Sequence, residues 1–215
     1  MIKIGITGNI GSGKSTVSKI LEKKGYPVFN CDEAARLVRN DRKVQDLILG
    51  AFGSKILTEN PYSESYLDEY YLDSAKLAHI VFNDPEKMRI LTDIVHPEVN
   101  KKLKNWYKEQ ENSLGISSSS TKKVFVENAI IFETNTNKEY DEILIVHAPE
   151  KIRIERVMKR DSASEDEVRA RMNFQHDENY KLENADYVIY NYADHPIEEQ
   201  IDVYLKRLSS KTFKK

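Results

Sequence analysis

Apolar residues along the chain follow two rhythms: short unbroken runs, and longer stretches in which they recur every three or four positions. Five runs are rich in Ile and Val and bounded by turn residues: Ile2–Thr7, Pro27–Asn30, Lys123–Asn128, Glu142–His147 and Tyr187–Tyr190. A strand apolar on both faces must be covered on both faces, so these read as buried parallel strands. Helical spacing separates most of them, beginning with Lys14–Lys24, whose end is marked by Gly25. Strands alternating with helices predict an α/β fold, a parallel five-stranded sheet covered by helices.

The second and third runs lie too far apart for a simple crossover. Between Asp32 and about Asn112 the spacing is helical, over Glu33–Arg39, Val44–Phe52, Leu72–Phe82 and Met88–Trp106, and it predicts a helical insertion forming its own lobe. Gly53–Leu67, which contains Pro61, reads as a loop. Asn112–Thr121, with serines at 117 to 120, reads as an exposed connection without a function of its own. The expected organisation is a core of residues 1–31, 122–150 and 185–215, a lobe with its linker over 32–121, and an arginine-rich segment over 151–184.

Composition narrows the classes. At 215 residues the chain accommodates one α/β domain with insertions, and its formal net charge of −2 supplies no basic field for nucleic acid. The single cysteine, Cys31, excludes an intrachain disulfide framework and a cysteine-based zinc cluster. No stretch reaches the roughly 18 apolar residues of a membrane span. Glycines, a lysine and hydroxyls break up the N-terminal apolar stretch, which therefore does not read as a signal peptide. The expectation is a soluble, cytoplasmic protein with neither nucleic acid nor membrane as partner; monomer and homo-oligomer are equally compatible with the sequence.

The chemistry lies in Gly8-Asn9-Ile10-Gly11-Ser12-Gly13-Lys14-Ser15, which matches G-x-x-x-x-G-K-[ST] in full between an apolar run and a helical one. The glycines let the backbone turn tightly and aim N–H groups at phosphate oxygens, while the helix N-terminus adds a favourable dipole. Lys14 supplies a point charge to the β- and γ-phosphates of ATP, Ser15 can ligate Mg²⁺, and Thr16 faces the α-phosphate. A chance glycine-rich turn would have no reason to sit between strand and helix.

Phosphate loops serve kinases, switches and motors alike. The D-x-x-G and N-K-x-D segments of GTPases are missing, since Asn137-Lys138-Glu139 is followed by Tyr140. The third strand ends in Glu127-Asn128 rather than the paired acids of motor ATPases. Half of the chain's arginines (Arg153, Arg156, Arg160, Arg169 and Arg171) lie between the fourth and fifth runs. Alone they would read as solvated helices paired with Glu155, Glu165, Asp166 and Glu167; beside a phosphate loop they read as a helical lid. Asp32 closes Val28-Phe29-Asn30-Cys31-Asp32 at the end of the second strand, on the sheet edge that carries the loop, and fits either a proton acceptor for an attacking hydroxyl or a cap of the helix Glu33–Arg39.

These residues resemble the dephospho-CoA kinase family along nearly the whole chain. The opening Ile6 to Thr16 looks like that family's, as do Asn30-Cys31-Asp32 with Ala35-Arg36, Leu77 through Val81-Phe82, His96-Pro97, Glu127 through Ile130-Ile131-Phe132-Glu133, Arg156-x-x-x-Arg160-Asp161, Arg171-x-x-x-Gln175, Ala185-Asp186 and Ile189-x-Asn191. The resemblance implies a P-loop kinase moving the γ-phosphoryl group of ATP, with Mg²⁺, to the ribose 3′-hydroxyl of dephospho-CoA. It also implies that Asp32 is the catalytic base, that Arg156 and Arg160 work from the lid with Lys14, and that the helical lobe binds the acceptor. Arg36 and His96 would touch the acceptor, and Asn191 the nucleotide. Three positions depart from the family pattern: Asn30 replaces its first aspartate, Ala129 a common proline and Ser74 a common arginine. His79, His147, His176 and His195 show no metal spacing. Among the 12 tyrosines, Tyr62, Tyr66, Tyr70 and Tyr71 read as structural first and as groove-lining second.

Overall fold

A computed structural model of the protein describes residues 1–59, 70–82, 84–113 and 122–211. By packing, the chain divides into two compact units, Met1–Asp32 with Asn105–Lys215, and Glu33–Lys104.

The first unit is built on strands β1 (Ile2–Thr7), β2 (Val28–Asn30), β5 (Lys123–Glu127), β6 (Glu142–His147) and β7 (Tyr187–Tyr190), a parallel five-stranded sheet in the order β2-β5-β1-β6-β7. Central β1 pairs Ile4 with Phe125 on one side and with Glu142 on the other. Side chains alternate across each strand, so Leu144 and Val146 face one way and Ile143 the other. The first face meets helices α1 (Lys14–Lys23) and α9 (Ile197–Ser210) through Val17, Leu21, Ile201 and Leu208, while Ile143 packs on Ile131 and Phe132. Consecutive β1 and β2 lie two places apart and later strands fall on both sides of β1. The end of β1 is therefore the point where the strand order reverses, and where open α/β sheets bind ligands.

Three helices separate β6 from β7: α6 (Glu150–Asp161), α7 (Glu165–Met172) and α8 (Glu178–Glu183). Helix α6 stops at Ser162, whose φ of 51° is left-handed. Helix α7 starts from a capping box in which Ser164 and Glu167 satisfy one another's backbone amides. Ile154, Val157 and Val168 join the two helices, with Ile10 of the loop after β1 packed against them.

The second unit holds most of α2 (Cys31–Val38), then α3 (Arg42–Phe52), β3 (Leu57–Glu59), β4 (Tyr70–Leu72), α4 (Ser74–Val81) and the larger part of α5 (Pro85–Asn112). The insertion is helical as expected but also carries a short two-stranded sheet. Strands β3 and β4 pair antiparallel, Leu57 opposite Leu72, and Ser54–Ile56 forms a 3₁₀ turn within the segment read as loop. Leu72 is strand, not helix, because the Asp73 carboxylate accepts the amides of Ala75 and Lys76 and so starts α4 at Ser74. Thr58 donates its hydroxyl to the same carboxylate at 2.7 Å. Helix α5 begins earlier than expected, since Asp84 accepts the Glu86 and Lys87 amides ahead of Pro85 at the first helical position. Its buried stripe Leu91, Val95, Val99 and Leu103 recurs every four residues. Beyond it Trp106, in the first unit, packs on Phe29 at 5.4 Å between ring centroids. Tyr62, Tyr66 and the serines at 117 to 120 lie outside the described residues. Among the described residues no helix is long and apolar enough to cross a membrane.

Candidate active site

The loop between β1 and α1 is held from several directions. Gly11 (φ 79°) runs so close to α6 that a Cβ there would lie 2.4 Å from the carbonyl oxygen of Arg153. At Gly13 (φ 97°) a Cβ would fall 1.9 Å from Asn191 Nδ2, which donates to the Ser12 carbonyl at 2.7 Å. Gln175 accepts the amide of Ile10 at 2.7 Å. The glycines therefore serve close approach as much as turning. Ser12 Oγ and Asn9 Oδ1 are buried without a hydrogen-bond partner, unusual for groups that normally find one.

Lys14 is buried in this cradle and donates to the Gly8 carbonyl at 2.9 Å. Burial pushes its pKa below the usual lysine value, against the pull of Asp32 and Glu127, while Lys181 and Arg160 add to the downward push. One small region thus gathers two lysines, two carboxylates and an arginine from five places in the sequence. The sheet explains the gathering: β2 and β5 are neighbours, and Asn30 at the end of one donates to Glu127 at the end of the other, 3.1 Å apart. Burial raises the pKa of Glu127, and the charge of Lys14 only partly offsets it. The position where Asn30 departs from the family pattern thus holds a neutral donor to this carboxylate.

Asp32 is exposed and lies inside the first turn of α2, whose first residue is Cys31. The helix-cap reading of Asp32 is corrected by that placement, because a cap residue precedes the helix. Cys31 is buried, and burial followed by the charge of Asp32 pushes its thiol up to about 12. It remains a packed thiol.

The five arginines are held in different ways. Arg153 is buried, donating to the Ala148 carbonyl and to Glu178, which also meets His147 at 3.0 Å. Arg156 donates to the carbonyls of Asn191 (2.9 Å) and Gly11 (3.4 Å), so it braces the phosphate loop from outside. Arg169 pairs with Glu150 and Glu165. Arg160 and Arg171 share Asp161. Of the four acidic partners expected for a solvated pair of helices, Glu165 pairs with an arginine, and Glu167 instead serves the Ser164 cap.

Sequence reasoning found Asn191 but not its partners, and it missed Gln175 as a bond to the loop. It also missed the buried pair of Lys181 with Glu133 at 2.7 Å; Glu133 further accepts the His176 amide, fixing the segment after β5 to α8. Lys181 also donates to the carbonyl of Ala129, a bond that uses only backbone there. In the second unit Arg36 is exposed, 4.0 Å from Glu33, and His96 is half-buried within α5 just ahead of Pro97. Ser74 opens α4.

A phosphate cradle at the reversal point of a parallel sheet, with its lysine inside and an arginine-bearing helix pair against it, defines a P-loop kinase. Comparison narrows the class. The profile of the family described as Dephospho-CoA kinase matches residues 2–196, and the chain belongs to that family. It is 38% identical to the dephospho-CoA kinase of Geobacillus kaustophilus over 191 residues, 88% of each chain. To that of Porphyromonas gingivalis it is 36% identical over 204 residues, 94% of this chain and 91% of the other. A solved Thermus thermophilus protein superposes with a TM-score of 0.73 at 33% identity, covering 98% of both chains. The Campylobacter jejuni dephospho-CoA kinase shares the fold, with a TM-score of 0.56 at 24% identity over 97% of this chain and 98% of that one.

Proposed function

We propose that this chain transfers the γ-phosphoryl group of ATP to the ribose 3′-hydroxyl of dephospho-CoA, with Asp32 as the proton acceptor. The observation that carries the assignment is the shared field of Lys14, Asp32, Glu127 and Arg160 at the reversal point of the sheet. Phosphoryl transfer asks the protein for positioning and charge neutralisation, and these groups supply both. The loop amides and Lys14 hold the triphosphate, and the unpartnered Ser12 hydroxyl lies within the same cradle. Asp32, exposed in the first turn of α2, offers its carboxylate to the attacking hydroxyl. Glu127, buried and held by Asn30, is the lesser candidate for that role. Arg160 reaches the same field from α6 and neutralises the transferring group. Arg156 acts on the nucleotide side with Asn191, since both are committed to the loop's outer face. The helical lobe, with Arg36 and His96, holds the acceptor.

The donors around the cradle suit Mg²⁺: the exposed Ser15 hydroxyl opens α1, the nearby carboxylates are hard oxygens, and the Cys31 thiol stays protonated. Ser15 would hold the ion, which would supply charge neutralisation between the β- and γ-phosphates. The proposed place of work is the cytoplasm, where ATP is at hand.

The test is ADP release across acceptors, with dephospho-CoA expected far above AMP, shikimate and gluconate. Asp32→Asn should lower kcat by about 10²–10⁴-fold with ATP affinity kept. Its stability should change little, because only a favourable charge–dipole contact of roughly 0.3–1 kcal/mol is lost from the first turn of α2. A clear preference for another acceptor would refute the substrate, and unchanged turnover in the variant would remove Asp32 from the mechanism.

A further inference from the structure

Arg160 and Asp161 are neighbours in sequence, yet their side chains pair in a fork, Nε to Oδ1 at 2.7 Å and Nη2 to Oδ2 at 2.9 Å. Consecutive residues of a helix do not face one another, so this pairing is not what α6 imposes by itself. It forms because α6 ends there: the left-handed Ser162 turns the chain into α7, and the capping box at Ser164 fixes how α7 returns. The return brings Arg171 to the same carboxylate, Nη1 to Oδ2 at 2.7 Å. Val157, Val168 and their neighbours lock the corner from beneath. Asp161 is thus anchored from α7 while it grips Arg160 on α6.

We infer that Asp161 is a positioning residue for phosphoryl transfer, presenting Arg160 in a fixed orientation to the transferring group. The carboxylate occupies the Nε–Nη2 edge of the guanidinium and leaves the Nη1 edge for a phosphoryl oxygen. A long side chain that is 63% exposed would otherwise sample many rotamers, and anchoring it beforehand removes that ordering step from the reaction. Two arginines against one carboxylate leave the corner net positive, so the grip does not cancel the charge it orients. The same contacts lower the Asp161 pKa below its ordinary value, led by Arg160. It therefore stays ionised at neutral pH.

The inference rests on the proposed role of Arg160, and a double-mutant cycle keeps the two separable. Wild type, Asp161→Asn, Arg160→Lys and the double variant are compared for kcat, KM for ATP, ATP affinity and melting temperature. The acceptor is dephospho-CoA or, failing that, whichever alcohol the wild type phosphorylates. Asparagine keeps one acceptor oxygen and loses the fork, so Asp161→Asn should lower kcat about 10-fold to 100-fold, with KM for ATP within about twofold. In the Arg160→Lys background the same change should cost less than about threefold, because the fork is already gone. Should Asp161→Asn unfold, Arg171→Gln replaces it in the cycle: it removes the α7 anchor and should lower kcat in the same Arg160-dependent way, by a smaller factor. An equal loss in both backgrounds, or a loss of stability and ATP affinity with kcat preserved, overturns the inference. Full activity of Arg160→Lys overturns it too, since Asp161 would then have nothing to position; the acceptor assignment would survive that result.

Discussion

Replacing Gly11 by alanine separates two jobs that a glycine can do, and Gly25 supplies the control. Both residues are left-handed, with φ of 79° and 83°, but nothing lies within 4 Å of a Cβ built at Gly25. Gly25→Ala should therefore show backbone strain alone, about 1–2 kcal/mol. At Gly11 the same strain is joined by a Cβ 2.4 Å from the Arg153 carbonyl oxygen and 2.9 Å from its Cα. Backbone atoms cannot swing aside as a side-chain tip can, so the loop must move away from α6. Overpacking of this kind adds about 1–3 kcal/mol. For a chain of this length each kcal/mol lowers the melting temperature by about 2–4 °C, so Gly11→Ala should melt about 2–12 °C below Gly25→Ala. Displacement also re-aims the loop amides and loosens the Arg156 contact to the Gly11 carbonyl. ATP affinity, measured by calorimetry, should then fall about 10-fold or more for Gly11→Ala and stay within about twofold for Gly25→Ala. Equal melting temperatures and equal ATP affinities in the two variants would refute the claim that close approach to α6 shapes the phosphate site.

Two further outcomes follow from charge and burial. Lys14→Met should nearly abolish turnover and weaken ATP binding. Because burial lowers the Lys14 pKa, folding disfavours its charged form; in thermal melts without nucleotide, the variant should match or exceed the wild type at neutral pH, and a clear drop would contradict a desolvated charge. Glu127 has the opposite shift. Its folded pKa is raised above the unfolded value, so its stabilising contribution is present in acid and lost as pH rises through the folded pKa. Glu127→Gln should consequently be more stable than wild type near pH 8 and converge with it near pH 4, two points chosen to bracket carboxylate titration. A gap that widened in acid would count against the assignment.

The sequence by itself determined whatever depends on residues close together in the chain. Runs of Ile and Val longer than one face can use marked all five strands of the main sheet, to within a residue at each end. The phosphate loop is likewise local, since its glycines, lysine and serine occupy eight consecutive positions between a strand and a helix. The start of α5 was equally legible in Asp84-Pro85, a helix-opening pair overlooked beside a periodicity that begins later. Strands β3 and β4 were not legible, for three residues each carry too little alternation to stand out.

Partner choice among polar groups belonged to the tertiary structure. Arg156 and Asn191 meet the phosphate loop across sequence separations of 145 and 179 residues, and Gln175 meets it across 165. No periodicity encodes such pairs. They arise because the parallel sheet sets β6 beside β1 and β7 beside β6, which delivers the segments after all three strands to one edge. The same edge decided that Asp32 lies inside the first turn of a helix instead of capping it, and that Asn30 faces Glu127. An arginine in a sequence is a charge looking for a carbonyl, a carboxylate or a phosphate. Only the fold, by deciding which of these lies within about 3 Å, gives each its task.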